Sequence, residues 1–285
     1  MLFCEQFSDY RILDASGGEK LEKWGDYILI RPDPQIIWNT PKIPMWQKAD
    51  AHYFRSEKGG GTWDNNGLPA SWNIRFGELN FILKPMSFKH VGLFPEQSVN
   101  WLWMADKIKK SGREINMLNL FAYTGGATLA AAGAGAKVCH VDASKGMTIA
   151  AKENAAISGL SSAPIRYIVD DCIKFVQREI KRGVRYDAVV LDPPSYGRGP
   201  SGEIWKLEDN IYGLLKLINQ VLSDNPLFVI LNSYTTGLSP ATMGYLLGTT
   251  ITKIKTPKIT AEELGIKVES TGLMLPSGQT SRIES

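Results

Sequence analysis

Asn116-Met-Leu-Asn-Leu-Phe-Ala-Tyr-Thr-Gly-Gly-Ala-Thr-Leu-Ala130 decides the fold of this chain. Asn116 to Phe121 is short and apolar and follows the polar turn Lys110-Ser-Gly-Arg113, so it reads as a buried strand. Tyr123-Thr-Gly-Gly126 is a tight turn. Gly125 to Gly135 is rich in Ala and Gly and reads as a helix with a thin side-chain layer. Strand, glycine turn and helix together bring backbone N–H groups and a helix N-terminus up to a ligand. The two glycines do not make a Gly-x-Gly-x-x-Gly fingerprint, and a plain strand-to-helix connection would use the same residues.

Downstream the pattern alternates. Strands are expected at 116–121, 137–142, 165–169, 186–191 and 227–231, and helices at 125–134, 144–158, 171–182, 206–223 and 239–249. Two short strands near 256–268 and at Leu273-Met-Leu275 close the chain. Apolar strands alternating with helices predict an α/β fold, a parallel sheet covered on both faces. Upstream, residues 1–86 hold Trp24, Trp38, Trp46, Trp63 and Trp72 among many prolines and glycines. Strands are expected at 27–30, 72–76 and 79–83, with a hairpin turn at Gly77-Glu78. This predicts a small β-rich accessory domain over 1–86 and a main domain over 87–285. Lys58 to Gly67 reads as a loop whose Trp63 either packs or stacks on a base. Lys89 to Phe94 is a linker or a flap, and Gln97 to Lys110 an amphipathic helix anchored by Val99, Leu102, Trp103 and Ile108.

The composition excludes several classes. Of 285 residues, 44% are hydrophobic and 21% charged, as in a globular protein. No apolar run reaches the roughly 20 residues a membrane helix needs, and the first residues carry no secretory signature. Cys4, Cys139 and Cys172 are far apart and odd in number, which predicts a reducing, cytoplasmic setting. His52, His90 and His140 are scattered, so no metal site is expected. The net charge of +3 permits a nucleic-acid partner without requiring one. Lys84, Lys89, Lys107, Lys109, Lys110 and Arg113 form either an RNA-facing strip or a solvated face.

In such sheets ligands bind beyond the carboxyl ends of the strands. Asp142 follows Gly126 at close to the roughly 20-residue interval at which an acid reaches a ribose hydroxyl pair. It suits either that role or a helix N-cap; with Ser144 at hand to cap, we read it as the ribose ligand. Asp171 suits an adenine amino group or a cap, and Asp170 shares the choice. Asp192-Pro-Pro-Ser-Tyr-Gly197 is the most specific stretch. Two prolines stop the strand and fix φ, making a rigid turn rich in acceptors. Asp192 and a proline carbonyl can hold an amino group there while Tyr196 covers a base.

Together these residues resemble a class I methyltransferase that uses S-adenosylmethionine (SAM), and within that class the large-subunit rRNA cytosine-C5 group. Leu118 to Ala127 resembles its first SAM motif, Val141-Asp142 its ribose-binding strand end, Asp170-Asp171 its adenine contact and Leu191 to Gly197 its catalytic motif. His90 to Gln97 resembles the motif that opens the helix before the SAM domain. The resemblance covers about residues 85–235. It implies a Rossmann-like sheet of seven strands with the last antiparallel, and SAM as methyl donor. It further implies cofactor contacts at Phe94, Gln97, Phe121, Tyr123, Thr124, Gly125, Gly126, Thr128, Asp142, Ala143, Ser144, Asp171 and Cys172, and catalytic roles for Asp192, Pro193, Pro194 and Tyr196. It points to RNA, above all rRNA, as the acceptor; a protein or small-molecule acceptor, or a binding module without turnover, are the alternatives. The chain departs from the cytosine enzymes in one respect. Their nucleophilic Cys has no counterpart in Asn232-Ser-Tyr-Thr-Thr236 or at Ser195, and a hydroxyl is a poor nucleophile without a base. Oligomeric state is not legible.

Overall fold

A computed structural model describes residues 1–3, 6–56, 60–198, 202 and 204–285, which divide into two compact units. Cys4, Lys58 and Gly59 of the stretches read above lie outside the described residues.

The first unit comprises Phe3–Ser98 together with Gly265–Pro276. It carries a five-stranded sheet in the order β1 (Tyr10–Ser16), β2 (Glu19–Trp24), β3 (Tyr27–Pro32), β4 (Ala51–Arg55) and β5 (Gly61–Asn65). A separate hairpin is formed by β6 (Trp72–Phe76) and β7 (Leu79–Leu83), turning at Gly77-Glu78 with Gly77 at φ +56°. Part of the expected loop is therefore strand: Trp63 lies in β5, donates its indole N–H to the Met86 carbonyl at 2.9 Å and packs edge-on to Tyr53. At the heart of the unit Glu22, with 0% of its surface exposed, receives Arg31 at 2.5 and 2.7 Å and the Tyr10 hydroxyl at 2.6 Å. Burial pushes the Glu22 carboxyl up, but Arg31 and Lys20 outweigh it and hold it down at about 2. Removing either partner would strand a buried charge.

The second unit comprises Met1–Leu2, Val99–Leu264 and Ser277–Ser285. It opens with α1 (Ser98–Lys110), whose first residue belongs to the other unit. The buried face of α1 is Trp101, Met104 and Ile108; Leu102, an expected anchor, is exposed. The apolar stripe is thus one residue out of phase with the expectation, because four apolar residues in a row (Trp101 to Met104) leave the phase open. Then follow β8 (Asn116–Leu120), α2 (Gly126–Gly133), β9 (Lys137–Asp142), α3 (Lys145–Ile157), β10 (Ile165–Val169), α4 (Cys172–Lys181) and β11 (Ala188–Leu191). A small hairpin, β12 (Tyr196–Arg198) and β13 (Ile204–Lys206), precedes α5 (Leu207–Val221), β14 (Phe228–Ser233), α6 (Pro240–Thr250), β15 (Lys258–Lys267) and β16 (Met274–Glu284).

The seven-stranded sheet runs β10-β9-β8-β11-β14-β16-β15. Its first five strands are parallel and β16 is antiparallel to β14. Strand β16 is far longer than the short strand expected at 273–275. Its residues Ser277, Thr280, Ser281, Arg282 and Glu284 are polar yet buried, so composition hides it. A continuous core made of Leu118, Leu120, Val189, Leu191, Val229 and Leu231 with Phe175, Leu214 and Ile218 covers one face. Among the described residues no helix is long and apolar enough to cross a membrane.

Candidate functional site

Parallel pairing aligns the strand ends. Leu120 of β8 stands opposite Val141 of β9 and Leu191 of β11; Leu191 stands opposite Leu231 of β14. The chain runs from β8 out to β9 and β10, then returns to the other side of β8 as β11. The order therefore reverses between β8 and β11, and a crevice forms beyond such a reversal. Gly125, Gly126, Asp171 and Asp192 follow strands that end at this one edge, and Asp142 is the last residue of such a strand.

The turn after β8 is folded tightly. Phe121 (φ +54°) and Tyr123 (φ +50°) are the non-glycine residues with left-handed backbone among those described, a conformation L-residues adopt at a cost. They are held by the Ala122 N–H to Val141 carbonyl bond (3.1 Å), and by Asn154 of α3, whose side-chain N–H reaches the Thr124 carbonyl at 3.0 Å. Gly125 is the left-handed N-cap of α2 (φ +90°). Gly126 owes its lack of a side chain to Trp101, because a Cβ there would lie 2.4 Å from the indole ring. The thin helix is thus required at its first residue by packing on α1. Thr128 is fully buried; its hydroxyl receives the Asn119 amide at 2.9 Å and meets His140 Nδ1 at 2.9 Å. The Thr128 side chain therefore seats α2 on the sheet. Burial depresses His140 to about 3, so the ring is neutral.

Asp142 is half-buried at the end of β9. One carboxylate oxygen accepts the Tyr123 N–H and the other the Ser144 N–H, each at 2.8 Å. Burial raises its pKa, and the two N–H bonds only partly oppose this. The helix cap of α3 falls to Ser144, which accepts the Met147 N–H. Since each carboxylate oxygen has two acceptor positions, one N–H on each leaves a second position on each oxygen of Asp142. Asp171 caps α4 by accepting the Lys174 N–H at 2.9 Å with one oxygen, while Asp170 pairs with Arg178. Cys172 is buried against the Phe121 backbone, and burial drives its thiol far up; its place is in the core. Ala143 is half-buried and Ser144 exposed. Phe94 and Gln97 belong to the first unit, on either side of Pro95 in a single helical turn.

Beyond β11, Asp192 is half-buried and its N–H reaches the Leu120 carbonyl at 3.4 Å. Pro193 is buried; Pro194, Ser195 and Tyr196 are exposed. Three contacts clamp the turn. The Trp205 indole N–H donates to the Pro194 carbonyl at 2.6 Å, the Leu207 N–H to the Ser195 carbonyl at 3.0 Å, and the Ser195 and Thr235 hydroxyls meet at 2.7 Å. Trp205 and Thr235 escaped the sequence reading. Trp205 stood as a lone aromatic before a helix, and Thr235 drew notice only because it is not Cys. Cys139 lies in the amino-terminal half of β9, pushed up to about 11 by burial. Among the described residues both thiols are buried, so no thiolate faces this turn.

The cations of the expected basic strip are partly engaged. Lys107 pairs with Glu284, Lys110 with Asp106 at 2.9 Å and Arg113 with Asp187 at 2.9 Å. Lys89, depressed to about 8 by burial, donates to the Pro32 carbonyl at 3.2 Å.

A seven-stranded sheet of this order, with an acid after its second strand and a left-handed turn after its first, defines the Rossmann-like methyltransferase class. Comparison with known proteins makes the assignment particular: residues 48–238 match the family model for S-adenosylmethionine-dependent methyltransferases, and the chain belongs to that family. The crystal structure of the SAM-dependent methyltransferase from Agrobacterium tumefaciens is 37% identical, with a TM-score of 0.93 over 99% of this chain and 92% of that one. The ribosomal RNA large subunit methyltransferase K/L of Shewanella frigidimarina is 34% identical over 145 residues, 49% of this chain and 20% of that protein. The putative ribosomal RNA large subunit methyltransferase of Methanocaldococcus jannaschii is 33% identical over 44% of this chain and 31% of its own. The chain thus spans about a fifth to a third of the length of these two curated relatives. A putative methyltransferase complexed with SAH shares the fold, with a TM-score of 0.73 at 16% identity over 99% of this chain and 76% of that one. The chain is a methyltransferase with SAM as its cofactor. The second acceptor positions of the Asp142 carboxylate suit such a nucleoside.

Proposed function

We propose that the protein transfers the methyl group of SAM to RNA, with ribosomal RNA as the substrate. The observation that carries this reading is the clamped Asp192-Pro-Pro-Ser-Tyr196 turn beside the SAM turn, in a chain whose relatives are rRNA methyltransferases. SAM supplies an electrophilic methyl group; the residues have to hold donor and acceptor in line. In this reading Asp142 holds the ribose hydroxyls, flanked by Ala143 and Ser144. Asp171 takes the adenine amino group, with Cys172 beneath it. The backbone of Phe121, Tyr123, Thr124, Gly125 and Gly126, and the amide end of Thr128, hold the amino-acid end. Asp192 orients the acceptor, a proline carbonyl of the turn accepts its second hydrogen, and Tyr196 stacks on the base. With no thiolate at this turn among the described residues, the acceptor attacks with its own lone pair, which favours a nitrogen or oxygen over a ring carbon. RNA and SAM meet in the cytoplasm, where we place the protein. The ion-paired strip favours one second reading, a protein or small-molecule acceptor. Mass spectrometry of nucleosides from rRNA and tRNA, with and without the gene, separates the two. A methylated nucleoside lost with the gene and not restored by Asp192→Ala supports the RNA reading; unchanged RNA refutes it.

A further inference from the structure

Trp205 touches both halves of the site. Its indole N–H is spent on the Pro194 carbonyl at 2.6 Å, and its ring packs on Phe121 with centroids 4.9 Å apart. Phe121 is the left-handed residue that opens the SAM turn, and Pro194 is the centre of the acceptor turn. The ring is 7% exposed and sits in β13, where it pairs with Gly197 across the small hairpin. A Cβ on Gly197 would meet Pro194 Cγ at 3.4 Å, so the hairpin lies directly on the proline turn. An indole is rigid, with two rotatable bonds, and its one donor is fixed by the contact it makes. We infer that Trp205 is a positioning residue: a strut that sets the spacing between the cofactor turn and the acceptor turn, and so the line along which the methyl group moves. The inference rests on the reading of the proline turn as the acceptor side.

The strut has two separable ends. Trp205→Phe keeps a ring on Phe121 but loses the donor; Trp205→Ala loses both. Three readouts on the purified protein follow the ends separately: calorimetric affinity for SAM, amide hydrogen exchange over Ser195 to Arg198, and transfer of labelled methyl to total RNA. For Trp205→Phe we expect unchanged SAM affinity, faster exchange in the turn, and kcat lowered about tenfold with KM for RNA unchanged. For Trp205→Ala the SAM affinity falls as well. Wild-type exchange and kcat in Trp205→Phe overturn the inference, as does an equal loss of SAM affinity in both variants. If the wild-type protein transfers nothing to RNA, the RNA reading fails by itself, and exchange and calorimetry still decide the role of Trp205.

Discussion

Gly126→Ala offers a stringent test of how the SAM turn is built. The backbone at Gly126 is ordinary helix, so an alanine there suffers no conformational penalty, and helix propensity alone would favour it by about 1 kcal/mol. Packing points the other way. The new Cβ would lie 2.4, 2.9 and 3.2 Å from three atoms of the Trp101 ring, where carbon atoms rest at about 3.5–4.0 Å. Trp101 is 4% exposed and has no room to swing aside. Overpacking costs about 1–3 kcal/mol, and an approach of 2.4 Å to a buried ring belongs in the upper half of that range; set against the propensity gain of about 1 kcal/mol, we expect a net loss of about 1–2 kcal/mol and a weaker grip on SAM as the first turn of α2 is pushed outward. Urea unfolding should show a lower midpoint at constant slope. In a Trp101→Leu background the same alanine should cost nothing, a coupling of at least about 1 kcal/mol between the two positions. Gly125→Ala is the control, since its φ of +90° is unfavourable whatever residue 101 is. A Gly126→Ala protein as stable as wild type, or one whose loss persists with Leu at 101, would refute the packing argument.

Two other outcomes follow from buried carboxylates. Asp142 is raised by burial, so it takes up a proton above the ordinary carboxylate range. SAM affinity should therefore decline as the pH drops toward that range, and calorimetry on Asp142→Asn should show a weaker and flatter profile; an unaltered affinity would remove Asp142 from the ribose site. Glu22 has the opposite sign. Its folded value of about 2 lies below the ordinary 4.5, so its contribution is fully present above 4.5 and is lost as pH falls toward 2. The shift corresponds to about 3 kcal/mol. Acid unfolding followed by tryptophan fluorescence should flatten over that interval in Glu22→Gln, and at neutral pH the variant should be less stable because Arg31 is stranded.

What the sequence disclosed, and what it hid, has a common physical source. The parallel strands at 116–120 and 137–142 were legible because a strand buried on both faces must be apolar, and the part-exposed edge strand at 165–169 because it is rich in β-branched and aromatic residues. The acids at their ends were legible because position along the chain alone puts them at the sheet edge. Strand β16 was hidden because Ser277, Thr280 and Ser281 are buried by pairing rather than by hydrophobicity. The packing of Gly126 on Trp101 was hidden too, a contact from an element 20-odd residues away that no local pattern announces. The side-chain contact of Thr128 was hidden for the same reason: its partner is His140, on the neighbouring strand. Asp171 fills the cap that a strand-to-helix acid so often fills, and its adenine role stays a proposal.

The first unit does not own a continuous piece of chain. Gly265–Pro276, between the middle of β15 and the start of β16, belongs to it. From this segment Ser270 donates to Asp14 at 2.6 Å, and Val268 bridges Ile12. A fragment ending at residue 98 would therefore lack part of its own fabric, and transplanting this unit onto another enzyme would require two splices, made together, rather than one. Newly made chain would likewise have to be synthesised past residue 276 before the unit could close.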